Sequence, residues 1–121
     1  DYIIFKLGEN VNDNDRNRYK EDFRNMINHY KQSDSKIIIV STVWNEYEFD
    51  IYGNPFVVES VKDRVMKEVA EEDDYIFVDI SEMRNNSENY AWNEYINQGI
   101  ASHPNDYGML FIANKIIEKI E

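Results

Sequence analysis

The chain has 121 residues, with 24 acidic and 13 basic side chains, a formal net charge of -11 and no cysteine. This length fits one domain or part of one, and no apolar run approaches the roughly 20 residues that a membrane-spanning helix needs. An acidic surface repels phosphate backbones and anionic membranes, which disfavours nucleic-acid binding. The lack of cysteine excludes disulfides, zinc–thiolate sites and thiol nucleophiles.

The first half of the chain predicts two buried strands with a helix between them. The apolar run over residues 2–7 predicts a parallel strand that needs neighbours on both sides, and residues 36–42 predict a second strand. A helix over residues 16–31 separates them, because apolar side chains recur there at helical spacing. The aromatic and acidic stretch 43–52 predicts a loop outside the carboxyl end of the second strand, where open α/β sheets bind ligands. The apolar residues at this spacing are Tyr19, Phe23, Ile27 and Tyr30.

The second half predicts two more helices and a third strand. Asn54 and Pro55 have the residue types of an N-cap and a first helical position, and valines give the helix that they start an inward face. Residues 75–79 predict the third strand, and Asp79 at its end is either a site residue or a cap of the following turn. A last helix is predicted over residues 106–120. Its expected buried residues are Leu110, Ala113, Ile116, Ile117 and Ile120.

One histidine lies in a rigid turn directly before the last helix. Pro104 fixes its own φ and biases His103 toward an extended conformation. Asn105 or Asp106 is suited to cap the helix, and Gly108 permits a close backbone approach. A turn histidine is more often a surface residue than a catalytic one, but a side chain held in this way has the restricted geometry that a general base needs.

Two stretches of the chain resemble sequence blocks of the SGNH (GDSL-type) hydrolases. In that family a histidine followed by Pro-Asn, a glycine and a final helix carries the catalytic base, which corresponds to His103 here. Leu7-Gly8-Glu9-Asn10 is similar to the family's Gly-x-Asn block, whose asparagine donates to the oxyanion hole. The resemblance implies a flavodoxin-like three-layer α/β sandwich with a parallel sheet of about five strands. Residues 1–121 then form the C-terminal part of one such domain, with the later strands only.

The nucleophile that the resemblance implies is missing. In the family it lies in a Gly-Asp-Ser block near the N-terminus of the domain, and no serine of this chain follows Gly-Asp. We therefore expect an absent N-terminal segment of the same domain to supply the serine, and these 121 residues to be inactive alone. Family members also carry an aspartate three residues before the histidine, where this chain has Ile100. A backbone carbonyl or another side chain must then orient the ring.

The resemblance predicts a serine esterase that needs no metal and no cofactor. Trp44 and Tyr47 suit stacking on a sugar, and with Gly8 they are the expected substrate-binding residues. The expected substrate is an ester, either a small molecule or a carbohydrate that carries O-acetyl groups. The alternatives are a non-catalytic carbohydrate-binding module on the same fold and, less favoured without a phosphate-cradling glycine loop, a flavodoxin-like regulatory domain. Similarity to exported carbohydrate-active members implies a secreted or periplasmic location. We expect no nucleic-acid partner and no membrane span.

Overall fold

A three-stranded parallel sheet with helices on both faces forms the centre of this mixed α/β protein. The computed structural model describes residues 1–7, 15–91 and 103–121. The sheet has the order β1-β2-β5, and β3 pairs separately with β4. The predicted α/β class and the parallel pairing of the three strands are confirmed. The elements in chain order are β1 (Tyr2–Lys6), α1 (Arg16–Tyr30), β2 (Lys36–Val40), β3 (Glu46–Phe49), β4 (Pro55–Val58), α2 (Val61–Glu72), β5 (Ile76–Val78) and α3 (Asp106–Ile120), with short 3-10 helices at Ser81–Asn85 and Ser87–Asn89 before α3.

Helices α1 and α2 cover one face of the sheet. Side chains alternate along each strand, so Phe5, Ile37 and Ile39 point to this face and pack with apolar residues of the two helices. The Asp15 carboxylate caps α1 by accepting from the backbone of Asn17 and Arg18, and the Ser60 hydroxyl caps α2. The helical residues in this core are Phe23, Ile27, Met66, Val69 and Ala70.

Ion pairs join the outer sides of α1 and α2. Lys20 lies 2.7 Å from Glu72, and the Arg24 guanidinium contacts both Glu72 and Asp73. Hydrogen bonds from Lys20 and Arg24 hold the pKa of the Glu72 carboxyl below its usual value. Because these groups are solvent-exposed, each pair adds little to stability, and the network mainly sets how the two helices align.

Helix α3 covers the other face, but it does so with a different side than the sequence predicts. Ile112 and Gly108 are buried, and Ile112 packs with Ile38, Val40 and other residues of the second core. The prediction that Leu110, Ala113, Ile117 and Ile120 are buried is wrong, because all four are exposed, Leu110 to 59 %, and Ile116 is only half-buried. The helix therefore presents an apolar side to solvent.

Strand β1 is less enclosed than predicted. Among the described residues it pairs with β2 alone, so it lies at an edge of the sheet. Phe5 is buried under α1 and α2, whereas Ile4, which points to the α3 side, is 49 % exposed and Tyr2 is similarly open. The second neighbour that the apolar sequence predicts is not among the described strands.

The aromatic stretch after β2 is a hairpin rather than a loop. Strands β3 and β4 pair antiparallel from Glu46 opposite Val58 to Phe49 opposite Pro55. The prediction that Asn54 and Pro55 begin a helix is therefore wrong, since Pro55 is the first residue of β4 and α2 begins only at Val61. Proline has no backbone N–H to donate to a neighbouring strand, and it is tolerated as the first residue of a strand.

The helices of the described chain are short relative to a bilayer. None is long and apolar enough to cross a membrane.

Candidate functional site

Backbone hydrogen bonds hold the turn that carries His103 against residues 89–91, and we call this set of bonds the clamp. The Ala91 amide donates to the His103 carbonyl at 3.0 Å, and the Asn105 amide donates to the Asn89 carbonyl at 3.0 Å. The Asn105 side chain donates to the Tyr90 carbonyl, and its oxygen caps α3 through the Gly108 amide. The predicted N-cap at this position is therefore Asn105. Together these bonds fix the backbone on both sides of the histidine.

Gly108 is the contact point between α3 and the clamp. A Cβ atom at this position would lie 2.2 Å from the Asn89 carbonyl oxygen. That carbonyl also accepts the Asn105 amide, so a side chain at 108 and the clamp compete for the same space. The predicted close backbone approach at Gly108 is confirmed.

We expect Gly108→Ala to loosen the histidine turn. The added methyl group must displace the Asn89 carbonyl, which costs about 1–3 kcal/mol of unfolding free energy as overpacking does elsewhere. Urea unfolding measures the loss, and hydrogen exchange at the Ala91 and Asn105 amides reports whether the clamp opens. Asn114→Ala, on an exposed position of the same helix, is the matched control and should be neutral. Equal stability and exchange in the two variants would contradict the packing argument.

His103 is solvent-exposed and lines a small apolar cavity. The cavity, of about 280 Å³, lies at the carboxyl ends of β1 and β2, where Lys6 and Val43 line it together with Met109 and Ile112 of α3. The Trp44 ring meets the imidazole edge-on, with 5.7 Å between ring centroids. His103 is thus positioned at the sheet edge where parallel α/β folds bind their ligands.

A second, larger cavity continues from the other side of Trp44. It has about 410 Å³ and is lined by Trp44, Tyr47, Arg84 and Tyr90 among others. The Tyr90 hydroxyl donates to the Val43 carbonyl at 2.5 Å, and burial raises the pKa of this phenol despite the nearby Arg84 charge. Tyr90 therefore stays a hydrogen-bond donor at ordinary pH and holds the Trp44 loop against the clamp.

Arg84, which lines this second cavity, belongs to a nearly buried ion pair. The Arg84 guanidinium lies 2.6 Å from the Asp63 carboxylate, with only 8 % and 15 % of these side chains exposed. It also donates to the Thr42 carbonyl at 2.5 Å, while the Thr42 amide donates to Asp63 at 2.8 Å. One arginine thus joins the end of β2, the first turn of α2 and the segment after β5.

Two serines and one aspartate near the sheet edge have structural partners. The buried Ser41 hydroxyl accepts the Ile80 amide at 2.8 Å, and the Ser60 hydroxyl caps α2. Asp79 accepts the Ser81 amide at 2.8 Å, as its predicted role in capping that turn requires. Burial tends to raise the pKa of this carboxyl, but the bonds from Ser81 and the charges of Arg84 and Lys67 together hold it below its usual value.

The predicted site residues are only partly within the described chain. His103 and Trp44 are in contact, and Tyr47 lines the neighbouring cavity. Gly8 and Asn10 lie outside the described residues, as does Ile100, the position where the SGNH blocks that this sequence resembles carry an aspartate. Within the described ranges, no three His, Asp or Glu side chains are grouped to hold a metal ion.

No family model, curated protein or solved structure matches the chain. The functional assignment therefore depends on the residues and on the geometry described above.

Sequence reasoning missed the residues that hold the site together. Arg84, Asn89 and Tyr90 come from a stretch with no regular periodicity. The Arg84 and Tyr90 side chains donate to the distant backbone carbonyls of Thr42 and Val43, whereas Asn89 donates to the nearby Met83 carbonyl. A buried arginine leaves no periodic signal of its own. The aromatic Tyr90 directly after a run of polar residues was the one local sign of an inward-facing position.

Proposed function

We propose that this chain is the histidine-bearing part of a serine esterase of the SGNH type, which hydrolyses carboxylic esters such as O-acetyl groups on carbohydrate. His103 is the general base and Asn10 is a donor to the oxyanion hole. The observation that carries the proposal is the presentation of His103, exposed on a hydrogen-bonded turn at the carboxyl edge of a parallel sheet.

In this mechanism His103 first accepts a proton and later donates it. Its imidazole takes the proton from the attacking serine hydroxyl as the oxygen bonds to the ester carbon, and it returns the proton to the departing alcohol. The Asn10 amide stabilises the oxyanion that forms between these steps. In the sequence Asn10 follows four residues after Lys6, which lines the His103 cavity.

The ring of His103 is oriented without an adjacent acid in this proposal. Its backbone is fixed through Ala91 and Asn105, and the Trp44 ring limits its rotation from one side. An orienting carboxylate improves a base of this kind but is not its proton acceptor. The site is therefore suited to esters, which are easier to cleave than amides.

The serine must come from a polypeptide segment beyond these 121 residues. Among the described strands β1 pairs with β2 alone, so this sheet is compatible with a further strand beside β1. On the α3 side of the sheet, Ile4 and the exposed side of α3 offer apolar surface for a helix. A strand and a helix added here would complete a three-layer, flavodoxin-like sandwich and bring their own loops to the carboxyl edge that carries His103.

Fluorophosphonate labelling tests the proposal. Two proteins are prepared: the 121 residues alone, and the same residues joined to the sequence that their gene encodes before Asp1. The intact mass of each protein is measured before and after reaction with the fluorophosphonate. We expect one label on the longer protein, on a serine that follows Gly-Asp, and none on the shorter one. If the longer protein is folded and takes no label, the chain is not a serine esterase.

A carbohydrate-binding module without catalysis is the second candidate. It is favoured by the cavity that Trp44 and Tyr47 line, which offers aromatic surface for a sugar and does not include His103 in its lining. Sugar binding that persists in an unlabelled protein and is lost in Trp44→Ala would support the module in place of the enzyme.

A further inference from the structure

The hairpin of β3 and β4 exposes a row of large apolar side chains on one of its faces. The strand register places Tyr47 opposite Val57 and Phe49 opposite Pro55, so these four residues share the same face, which we name the aromatic face. All four are exposed, Phe49 to 68 %. At the tip, Tyr52 is 82 % exposed. Apolar surface concentrated on one projecting element is typical of a binding surface.

The hairpin presents this face on an ordered support. The Asp50 carboxylate accepts the amides of Tyr52 at 2.8 Å and Asn54 at 2.9 Å, and Gly53 adopts the left-handed conformation, φ 80°, that closes the turn. At the base, the Val61 amide donates to the Glu46 carboxylate at 3.2 Å. Because the backbone is already ordered, a ligand that docks here pays little entropy to fix it.

The aromatic face is continuous with the candidate active site. Tyr47, at the base of the hairpin, lines the larger cavity together with Trp44. The Trp44 ring in turn contacts the His103 imidazole. A track of aromatic side chains therefore leads from His103 along the hairpin to Phe49. Between Tyr47 and Phe49 the strand adds about 7 Å to this track, at about 3.4 Å per residue, which exceeds one sugar ring.

The charge of the hairpin restricts what can occupy this track. Residues 46–58 include Glu46, Glu48 and Asp50 but no lysine or arginine, in a chain whose net charge is -11. This potential repels anionic lipids, nucleic acids and acidic glycans. A second copy of the chain is also disfavoured, because it would bring the same acidic groups together. Ammonium groups are attracted by the carboxylates and by the faces of tyrosine and phenylalanine rings.

We propose that the hairpin binds a polysaccharide whose sugar units carry ammonium groups, and that it guides esters on this polymer to His103. The apolar faces of the sugar rings pack on the aromatic face. Glu46 and Glu48 lie on the opposite face of the hairpin and Asp50 lies in its turn, so these carboxylates attract the ammonium groups through their field rather than by direct contact. This inference rests on the proposed function, since it names the substrate class of the same site.

Binding of three hexasaccharides to the protein, measured by calorimetry, tests the inference. The probes are hexamers of glucosamine, of N-acetylglucosamine and of galacturonic acid, which are cationic, neutral and anionic. We expect the glucosamine hexamer to bind most tightly and the galacturonic acid hexamer least, with the preference reduced in 1 M salt. Tight binding of the anionic hexamer would overturn the inference.

Two hairpin variants and one control locate the binding surface. Phe49→Ala should weaken binding of the glucosamine hexamer on the order of tenfold, as loss of an aromatic anchor does at other interfaces, and Glu48→Gln should reduce its advantage over the neutral hexamer. Tyr30→Ala, which removes an exposed ring from α1, should change nothing. Unchanged binding in Phe49→Ala, or a dimer that this variant dissociates, would overturn the inference.

The failure of this inference is distinguishable from the failure of the proposed function. Hexamer binding needs no serine, so the 121 residues are sufficient for it, whereas labelling tests the esterase separately. If the protein is labelled but its hexamer binding does not depend on the hairpin, the esterase proposal stands and the inference about the hairpin is wrong. If the folded protein takes no label but its hexamer binding depends on Phe49, the esterase proposal is wrong. The hairpin then binds the polysaccharide without guiding esters to His103.

Discussion

Replacing His103 by alanine should reduce ester hydrolysis on the order of 10³-fold in the serine-bearing protein, since a positioned general base contributes about 10²–10⁴-fold. The side chain is exposed, so the free energy of unfolding should stay unchanged. The measurement is kcat/KM for 4-nitrophenyl acetate together with urea unfolding of each variant. A loss of rate without a loss of stability is the pattern that a catalytic base predicts.

His29→Ala is the matched control for this variant. His29 is the other histidine of the chain, it is exposed on α1, and its ring contacts only Tyr30 among the aromatic contacts of the described residues. Hydrolysis by this control should equal that of the unaltered protein. If both variants keep full activity, His103 is not the base.

Replacing Arg84 by methionine should lower the free energy of unfolding by about 3–5 kcal/mol, because Asp63 would keep a nearly buried charge without its partner. The same change removes the donors to the Thr42 carbonyl and hydroxyl. Domains of this size have about 5–15 kcal/mol in total, so the loss is a large fraction of stability. Urea unfolding followed by far-UV circular dichroism measures it.

Arg64→Met provides the comparison for Arg84, since Arg64 pairs with Glu59 at an exposed surface. Its stability should change little, because solvent screens such a pair. Adding Asp63→Asn to Arg84→Met should recover part of the lost stability by removing the isolated charge. If Arg84→Met unfolds at the same urea concentration as Arg64→Met, the Arg84–Asp63 pair does not stabilise the fold around the site.

The histidine turn was predictable because its signals are local. Pro104, Asn105 and Gly108 each act through backbone geometry within a few residues, and α3 has the predicted bounds of residues 106–120. The hairpin was not predictable in the same way. Asn54-Pro55 is compatible with the start of a helix and with the start of a strand, and only the pairing of Pro55 with Phe49 decides between them.

The exposed side of α3 shows a different limit of sequence reasoning. The periodic residues from Leu110 to Ile120 establish that this side is apolar, but periodicity does not say what covers it. The described fold instead buries Ile112, because the close approach at Gly108 rotates the helix toward Asn89. The predicted apolar side is left facing solvent, with Leu110 and Ile117 exposed.

By itself, the sequence determined the α/β class, the three strands of the parallel sheet, the bounds of the last helix and the histidine turn before it. These follow from short-range rules: alternation along strands, helical spacing, and the fixed φ of proline. Only the tertiary structure decided that Trp44 meets His103, that Arg84 joins three segments, and that an acidic, aromatic hairpin extends from the site. Such contacts join residues that are distant in the sequence, and their energies depend on burial and on partners that no local pattern encodes.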